Sequence, residues 1–444
     1  VTTIHDTRAV FRKWLHLPDT GALDAVLGSV AANRIKGDPV WLLLVGPPGG
    51  GKSEILNAIS DLEDAHPAGT LTEASLLSGT PKREHADTAR GGLLRNIGDF
   101  GIIVAKDFGS VLSMNRDARS QLLAALREVY DGSWTRHVGT DGGRTLAWKG
   151  KVGLVGGCTP TIDRHHAVMG AMGERFVLYR LPEVDPDIQA RQALGHAGKE
   201  TQMRMELSSA VQTLLENAGA QPRPLDESEK TRLVGLATLV VRARSAVERD
   251  SYSREIELVP GPEAPTRIII VLDRMLAGLD AIGVERADAW NVVTKCALDS
   301  VPALRLSVLY ALKDGQIDTN DIAGKVRHPS STTRRALEDL TAHNLVEQER
   351  QGEGKAHLWS LSAFTIARMQ GFPETSEQKG TVPEMLQGVN GAPPNSSSKP
   401  YNEHNGNANN QHDLQTMLDD PGIDDETREN ISRYILEPEH QPER

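Results

Sequence analysis

At 444 residues the chain is long enough for two or three compact units, and 25% charged with 39% apolar residues fits a soluble globular protein rather than a fibrous or membrane one. Apolar runs such as Trp41–Val45 and Ile268–Leu272 have the length of a core strand or a helix face, well short of a membrane span. The net charge of −11 does not exclude a nucleic-acid partner, because 14 acidic and 5 basic residues lie from Gly371 onward, leaving 46 acidic and 44 basic in a nearly neutral body.

The N-terminal VTTIHDTRAVFRKW has no hydrophobic signal region. The two cysteines, Cys158 and Cys296, form neither a disulfide framework nor a metal cluster, so the expected compartment is a reducing cytoplasm. Thr20–Ile35 has the periodicity of an amphipathic helix leading into a buried strand at Val40–Val45.

Gly46-Pro47-Pro48-Gly49-Gly50-Gly51-Lys52-Ser53 follows that strand and fits G-x-x-x-x-G-K-[ST]. Glycines let the backbone curl until its N–H groups converge on an oxyanion, and the opening helix adds its positive end. In such a loop Lys52 reaches the β- and γ-phosphates of a nucleoside triphosphate, the Ser53 hydroxyl takes a position on Mg²⁺, and Glu54 borders the site. The expected helix runs from Ser53 to Leu62, and Thr70–Glu73 is expected as a short strand.

The metal needs a second ligand, a carboxylate, and the apolar run Ile102–Ala105 ends in Lys106 and Asp107. The next residue is Phe108, where many such ATPases carry a water-polarising glutamate. The base is then supplied from elsewhere, with Glu54 and Glu73 as positional candidates, or hydrolysis is slow. A helix is expected near Leu93–Ile97 and another over Arg116–Tyr130. Two alternating arms around Asp141-Gly142-Gly143 signal a hairpin, and Val152–Gly157 reads as a further buried strand. Alternating strands and helices imply a largely parallel, doubly wound α/β sheet.

Residues 184–300 carry apolar residues at helical spacing. Residues 301–366 read as helix, helix, helix, then two strands around Gly352-Glu353-Gly354-Lys355: a winged helix-turn-helix. Its helices are expected at Leu304–Leu312, from Asp318 or Thr319 to Lys325, and from a cap at Ser330 or Ser331 to about His343. Ser331, Thr332, Thr333, Arg334 and Arg335 open the third helix, where side chains reach a DNA major groove, and Arg350 and Lys355 flank the wing. The module holds eight acids and eight bases between Val301 and Leu361, so protein binding is the alternative use. Residues 367–444 are acidic, rich in Asn, Pro, Ser and Gly, and expected to be disordered, with a short helix near the end as a candidate protein-binding peptide.

The order P-loop, Asp-ended strand, helix, hairpin, strand, then GERF resembles the AAA+ ATPases. It is most similar to the branch with a hairpin before the sensor-1 strand, which holds minichromosome-maintenance helicases and bacterial enhancer-binding activators. The likeness spans about Gly21 to Gly283 and implies an AAA+ core over 1–183 with a helical lid over 184–300. It also implies ATP and Mg²⁺ as ligands, Thr159 as sensor 1, Arg175 as a finger entering a neighbouring subunit, and Arg267 as sensor 2. A finger acting in trans implies a ring of copies, a hexamer. Family hairpins touch substrate in the ring pore, and Arg136, His137, Arg144, Lys149 and Lys151 suit a phosphate backbone. A helicase or helicase loader acting in DNA replication is the leading expectation. A nucleotide-dependent transcription regulator or assembly switch is the alternative, which Phe108 favours. The GAFTGA loop of enhancer-type activators is absent. About forty residues precede the loop, too few for the oligonucleotide-binding domain of a full minichromosome-maintenance helicase.

Overall fold

The computed structural model describes residues 2–79, 91–139, 142–166, 175–219, 221–250, 252–351 and 356–370. Strands β1 (Trp41–Val45), β2 (Ala65–Pro67), β3 (Phe100–Ala105), β6 (Lys151–Cys158) and β7 (Phe176–Arg180) form one parallel sheet in the order β2-β3-β6-β1-β7. Both faces of this sheet are covered, as parallel sheets require. Leu42 and Leu44 of β1 enter one apolar cluster, while Trp41, Leu43 and Val45 enter a second on the other side. That split follows from the two-residue period of a strand.

The first cluster contains α1 (Ile4–Trp14), α2 (Gly21–Arg34) and α3 (Lys52–Ser60). The second contains α4 (Glu73–Leu76), α5 (Leu93–Ile97), α6 (Gly109–Leu112), α7 (Arg116–Tyr130) and the hairpin β4 (Ser133–Val138) with β5 (Arg144–Lys149). The short strand expected at Thr70–Glu73 is absent. Thr72 instead caps α4, its hydroxyl accepting from the Ser75 amide at 3.0 Å, and β2 lies earlier in the chain. This local hydrogen bond offers the backbone an alternative to the sheet.

Two close contacts fix α2. The Asn33 side chain donates to the Val40 carbonyl at 2.9 Å and accepts the Val40 amide at 2.8 Å, seating the entry to β1. Arg8 of α1 makes a buried two-pronged bond to Asp24 of α2, at 2.9 and 2.7 Å. Burial pushes the Asp24 carboxyl up, and Arg8 opposes the shift. Arg8→Ala would leave that carboxylate buried and alone, costing about 3–5 kcal/mol. A lowered denaturant midpoint with an unchanged m-value is the expected reading, and an unchanged midpoint removes the assignment.

Beyond β7 the chain is mostly helical: α8 (Pro186–Gly195), α9 (Glu200–Glu216), α10 (Glu227–Arg244), α11 (Thr266–Ala281) and α12 (Arg286–Asp299). A two-stranded insert, β8 (Glu248–Arg249) with β9 (Ile256–Leu258), separates α10 from α11. Helices α2 and α11 touch through glycine, since a Cβ on Gly278 would fall 2.0 Å from the Gly28 carbonyl oxygen. At the outer edge of β7 the Leu178 amide donates to Ser300 at 3.0 Å and the Arg180 amide to Asp299 at 2.7 Å. The end of α12 thus covers a strand edge that would otherwise be free to pair.

The last described elements are α13 (Ala303–Ala311), β10 (Ile317–Asp318), α14 (Thr319–Val326), α15 (Ser330–Ala342), β11 (Val346–Glu349), β12 (Leu358–Leu361) and α16 (Ala363–Met369). An antiparallel sheet in the order β10-β12-β11 backs the three helices α13 to α15. Asp318 caps α14 through the Asn320 and Asp321 amides. Pro329, not a serine, occupies the cap position of α15. Residues 352–355 and the segment from 371 lie outside the described residues, and with them Lys355 and most of the acidic tail. Among the described residues no helix is long and apolar enough to cross a membrane.

Candidate functional site

The glycine-rich loop joins the end of β1 to the start of α3. Gly49 and Gly51 adopt φ of 77° and 81°, the left-handed region that side-chain-bearing residues avoid. The Gly46 amide donates to the Cys158 carbonyl at 3.1 Å, which seats the loop beside the end of β6. Lys52 is buried, and its ammonium donates to the Gly46 and Pro47 carbonyls at 2.7 Å each. Burial lowers its pKa, while the nearby Cys158 and Asp107 raise it.

Asp107 follows β3, and β6 separates β3 from β1. A Cβ on Gly109 would lie 2.9 Å from Asp107 Oδ1 and 4.0 Å from Cys158 Sγ, so the carboxylate lies by the tip of β6, whose Cys158 carbonyl also takes the Gly46 amide. Ser53 and Asp107 are both exposed. A hydroxyl and a carboxylate reachable by water are the oxygen donors Mg²⁺ takes, and the pair fits that ion. Thr159 caps the turn after β6, its hydroxyl 2.6 Å from that of Thr161. The geometry is compatible with a P-loop NTPase core.

Phe108 does not face this site. It is fully buried in the second cluster, with its ring centroid 5.0 Å from that of Phe176. Its amide donates to the Gly157 carbonyl at 2.7 Å, which locks the turn and aims the side chain inward. Phe108→Glu would bury an unpaired carboxylate, so loss of thermal stability without any gain in ATP turnover is expected. A stable variant with faster turnover would show that the side chain can swing outward. The other candidate bases are engaged. Glu54 accepts from Arg204 at 2.9 and 3.1 Å, which holds its carboxyl below the usual range, and Glu73 pairs with Arg136 at 3.0 Å.

Arg175 and Arg267 lie far from the loop. Arg175 precedes Phe176, which pairs with Trp41 at the amino end of β1, so about 16 Å of strand separates it from the loop. It is buried, bonded to Asp131 at 2.8 and 3.0 Å, with its guanidinium 5.2 Å from the Tyr130 ring. Arg267 opens α11 and pairs with Glu263. It lines a cavity of about 620 Å³ with Asp38, Tyr130, Asp131 and Lys151, at the same amino end.

In the hairpin Trp134, Leu146 and Trp148 are buried against the body. Arg136 turns back to Glu73 and to the Leu77 carbonyl at 2.6 Å, so its guanidinium is committed within the fold. Lys149 is exposed and Arg144 half-buried, while Lys151 donates to the Ile35 carbonyl at 2.7 Å. On α15, Thr333 is fully buried and cannot meet a groove, contrary to the expectation for it. Ser331, Thr332, Arg334 and Arg335 are exposed, as is Arg350. Sequence reasoning missed Gln189 of α8, whose amide donates to the Gly49 carbonyl at 2.9 Å and lays that helix across the loop. A glutamine on a polar helix offers no signal of such a contact.

The chain matches no known protein family and no curated protein. Among solved structures it aligns with an apo form of the NrS-1 C-terminal region at 11% identity, covering 81% of this chain and 76% of that one, with a TM-score of 0.24. It also aligns with the Hsp104–ADP complex of S. cerevisiae at 16% identity, covering 78% of this chain and 51% of that one, with a TM-score of 0.24. Neither score carries weight on fold or activity, and the functional reading stands on the site itself.

Proposed function

We propose that this chain is an AAA+-type ATPase that assembles as a ring and uses ATP to move or remodel DNA. The observation that carries the reading is the placement of loop and arginines at opposite ends of one parallel sheet. The loop amides and Lys52 would bind the triphosphate, and Ser53 and Asp107 would hold Mg²⁺, which shields the charge that builds on the phosphates. Thr159, beside the same strand tip, would orient the γ-phosphate. Arg175 and Arg267 lie too far away to serve the same chain's phosphates, but they suit the site of an adjoining copy. There each guanidinium would stabilise transition-state charge.

The elements α13 to α15 with β10 to β12 support a winged helix that grips DNA through Thr332, Arg334 and Arg335, with Arg350 on a strand end. The buried Phe108 favours a second reading, an ATP-dependent switch with little turnover. ATP hydrolysis measured with and without single- and double-stranded DNA, beside a native mass, separates the two. Turnover stimulated by DNA in a multi-copy assembly supports the motor. Binding without turnover supports the switch, and a monomer indifferent to ATP removes both.

A further inference from the structure

The β8–β9 insert comes to rest against α15, and Arg249 is the joint. Its guanidinium donates to Asp339 at 2.6 and 3.2 Å, to Glu338 at 3.0 Å and to the Arg335 carbonyl at 3.2 Å. It also donates to the Arg254 carbonyl at 2.8 Å, so the turn of the insert and the helix meet on one side chain. Arg305 approaches Asp339 from α13, donating to its other oxygen at 2.8 Å. Glu338 faces Arg334 as well, at 3.8 Å. Both carboxylates on this side of α15 are therefore matched by cations.

Arg249, whose cross-strand partner is Ile256, is the residue of the insert that reaches α15. A register shift lies between Glu248 and Arg249, and Glu248, Glu255 and Glu257 are exposed on the same insert. Asp250 accepts the Tyr252 and Ser253 amides at 2.9 and 2.6 Å, which tightens the turn. Tyr252 is left 96% exposed, and Arg254, at a φ of 61°, is exposed, with its carbonyl on the same Arg249 guanidinium as the Arg335 carbonyl. A bare aromatic ring and an exposed arginine two residues apart on one turn suit a nucleic-acid strand, with the arginine on a phosphate and the ring on a base.

We propose that Tyr252 and Arg254 form a second nucleic-acid contact, continuous with Arg334 and Arg335 of α15. In it Arg249 acts as a positioning residue that stops Glu338 and Asp339 from repelling the phosphates. The inference rests on the DNA-binding reading above, and it adds a surface supplied by the insert between α10 and α11. The ligand is defined by its phosphodiester charge and an accessible base, which a single strand or a frayed duplex presents.

Fluorescence anisotropy of the full chain with labelled single-stranded and duplex oligonucleotides tests it. Tyr252→Ala should weaken single-strand binding about tenfold and duplex binding less. Arg254→Ala should weaken both and reduce the slope of log affinity against log salt by about one. Arg249→Ala should also weaken both, and adding Glu338→Gln with Asp339→Asn should restore affinity, a rescue that a purely structural arginine would not show. If Arg249→Ala fails to fold, the two exposed-residue variants still decide the matter. Wild-type affinity in both of them overturns the inference while leaving DNA binding by α15 in place. Altered self-association with unchanged oligonucleotide binding also overturns it, assigning the turn to a contact between copies. A wild-type chain that binds no oligonucleotide in any nucleotide state overturns the DNA-binding reading together with this one.

Discussion

Lys52→Ala should abolish ATP binding, with affinity falling at least 100-fold in a calorimetric or fluorescent-nucleotide titration. The ammonium is buried and held by two loop carbonyls, so its position is set before any phosphate arrives. Each charge-assisted hydrogen bond it makes to phosphate contributes about 1.5–3 kcal/mol, and two of them account for the drop. No other cation on the loop can replace it, since Gly46 to Gly51 has no side chain that carries charge. Near-wild-type affinity in this variant would disprove the phosphate site. Stability should fall modestly, because the buried Gly46 carbonyl loses its partner while the Pro47 carbonyl is open to water.

Arg175→Ala should leave nucleotide affinity intact and lower ATP turnover by about 10³-fold, the lower range for a finger that stabilises transition-state charge. Its position at the amino end of the sheet separates it from its own loop, so binding and turnover should respond independently. In the single chain it is paired with Asp131, whose side chain is 56% exposed. Asp131→Asn is the informative companion. If Arg175 acts only by holding the fold, both variants should lose stability together and share one kinetic profile. If Arg175 leaves Asp131 to reach an adjoining copy, Asp131→Asn should keep or raise turnover. Unchanged turnover in Arg175→Ala would end the shared-site reading.

Much of the central sheet was legible because β1 is a short, wholly apolar run, β3 and β6 are largely so, and the loop after β1 uses glycine. The helix expected over Arg116–Tyr130 is observed with those bounds, since leucines at helical spacing coincide with the Asn115 cap. The strand that leads into the loop was equally plain. What failed depends on tertiary partners. Thr333 follows two exposed residues at a helix start, yet the turn of α15 carries it inward, and one residue along a helix rotates a side chain by about 100°. Arg136 looked solvent-bound until Glu73, distant in sequence, claimed it. Helix α1 was overlooked, although Thr3 and Asp6 form a reciprocal cap that was readable in the sequence. The opposite-end placement of Arg175 and Arg267 needs the strand order, which no local pattern encodes.

The tie between β7 and the end of α12 has a mechanical consequence. Ser300 and Asp299 grip the strand that leads to Leu181, which packs against Gly46, and α13 begins at Ala303 with almost no intervening chain. So short a tether leaves no slack to absorb movement. A small tilt of the sheet edge would pass directly into α13, whose Arg305 holds Asp339 of α15 at 2.8 Å.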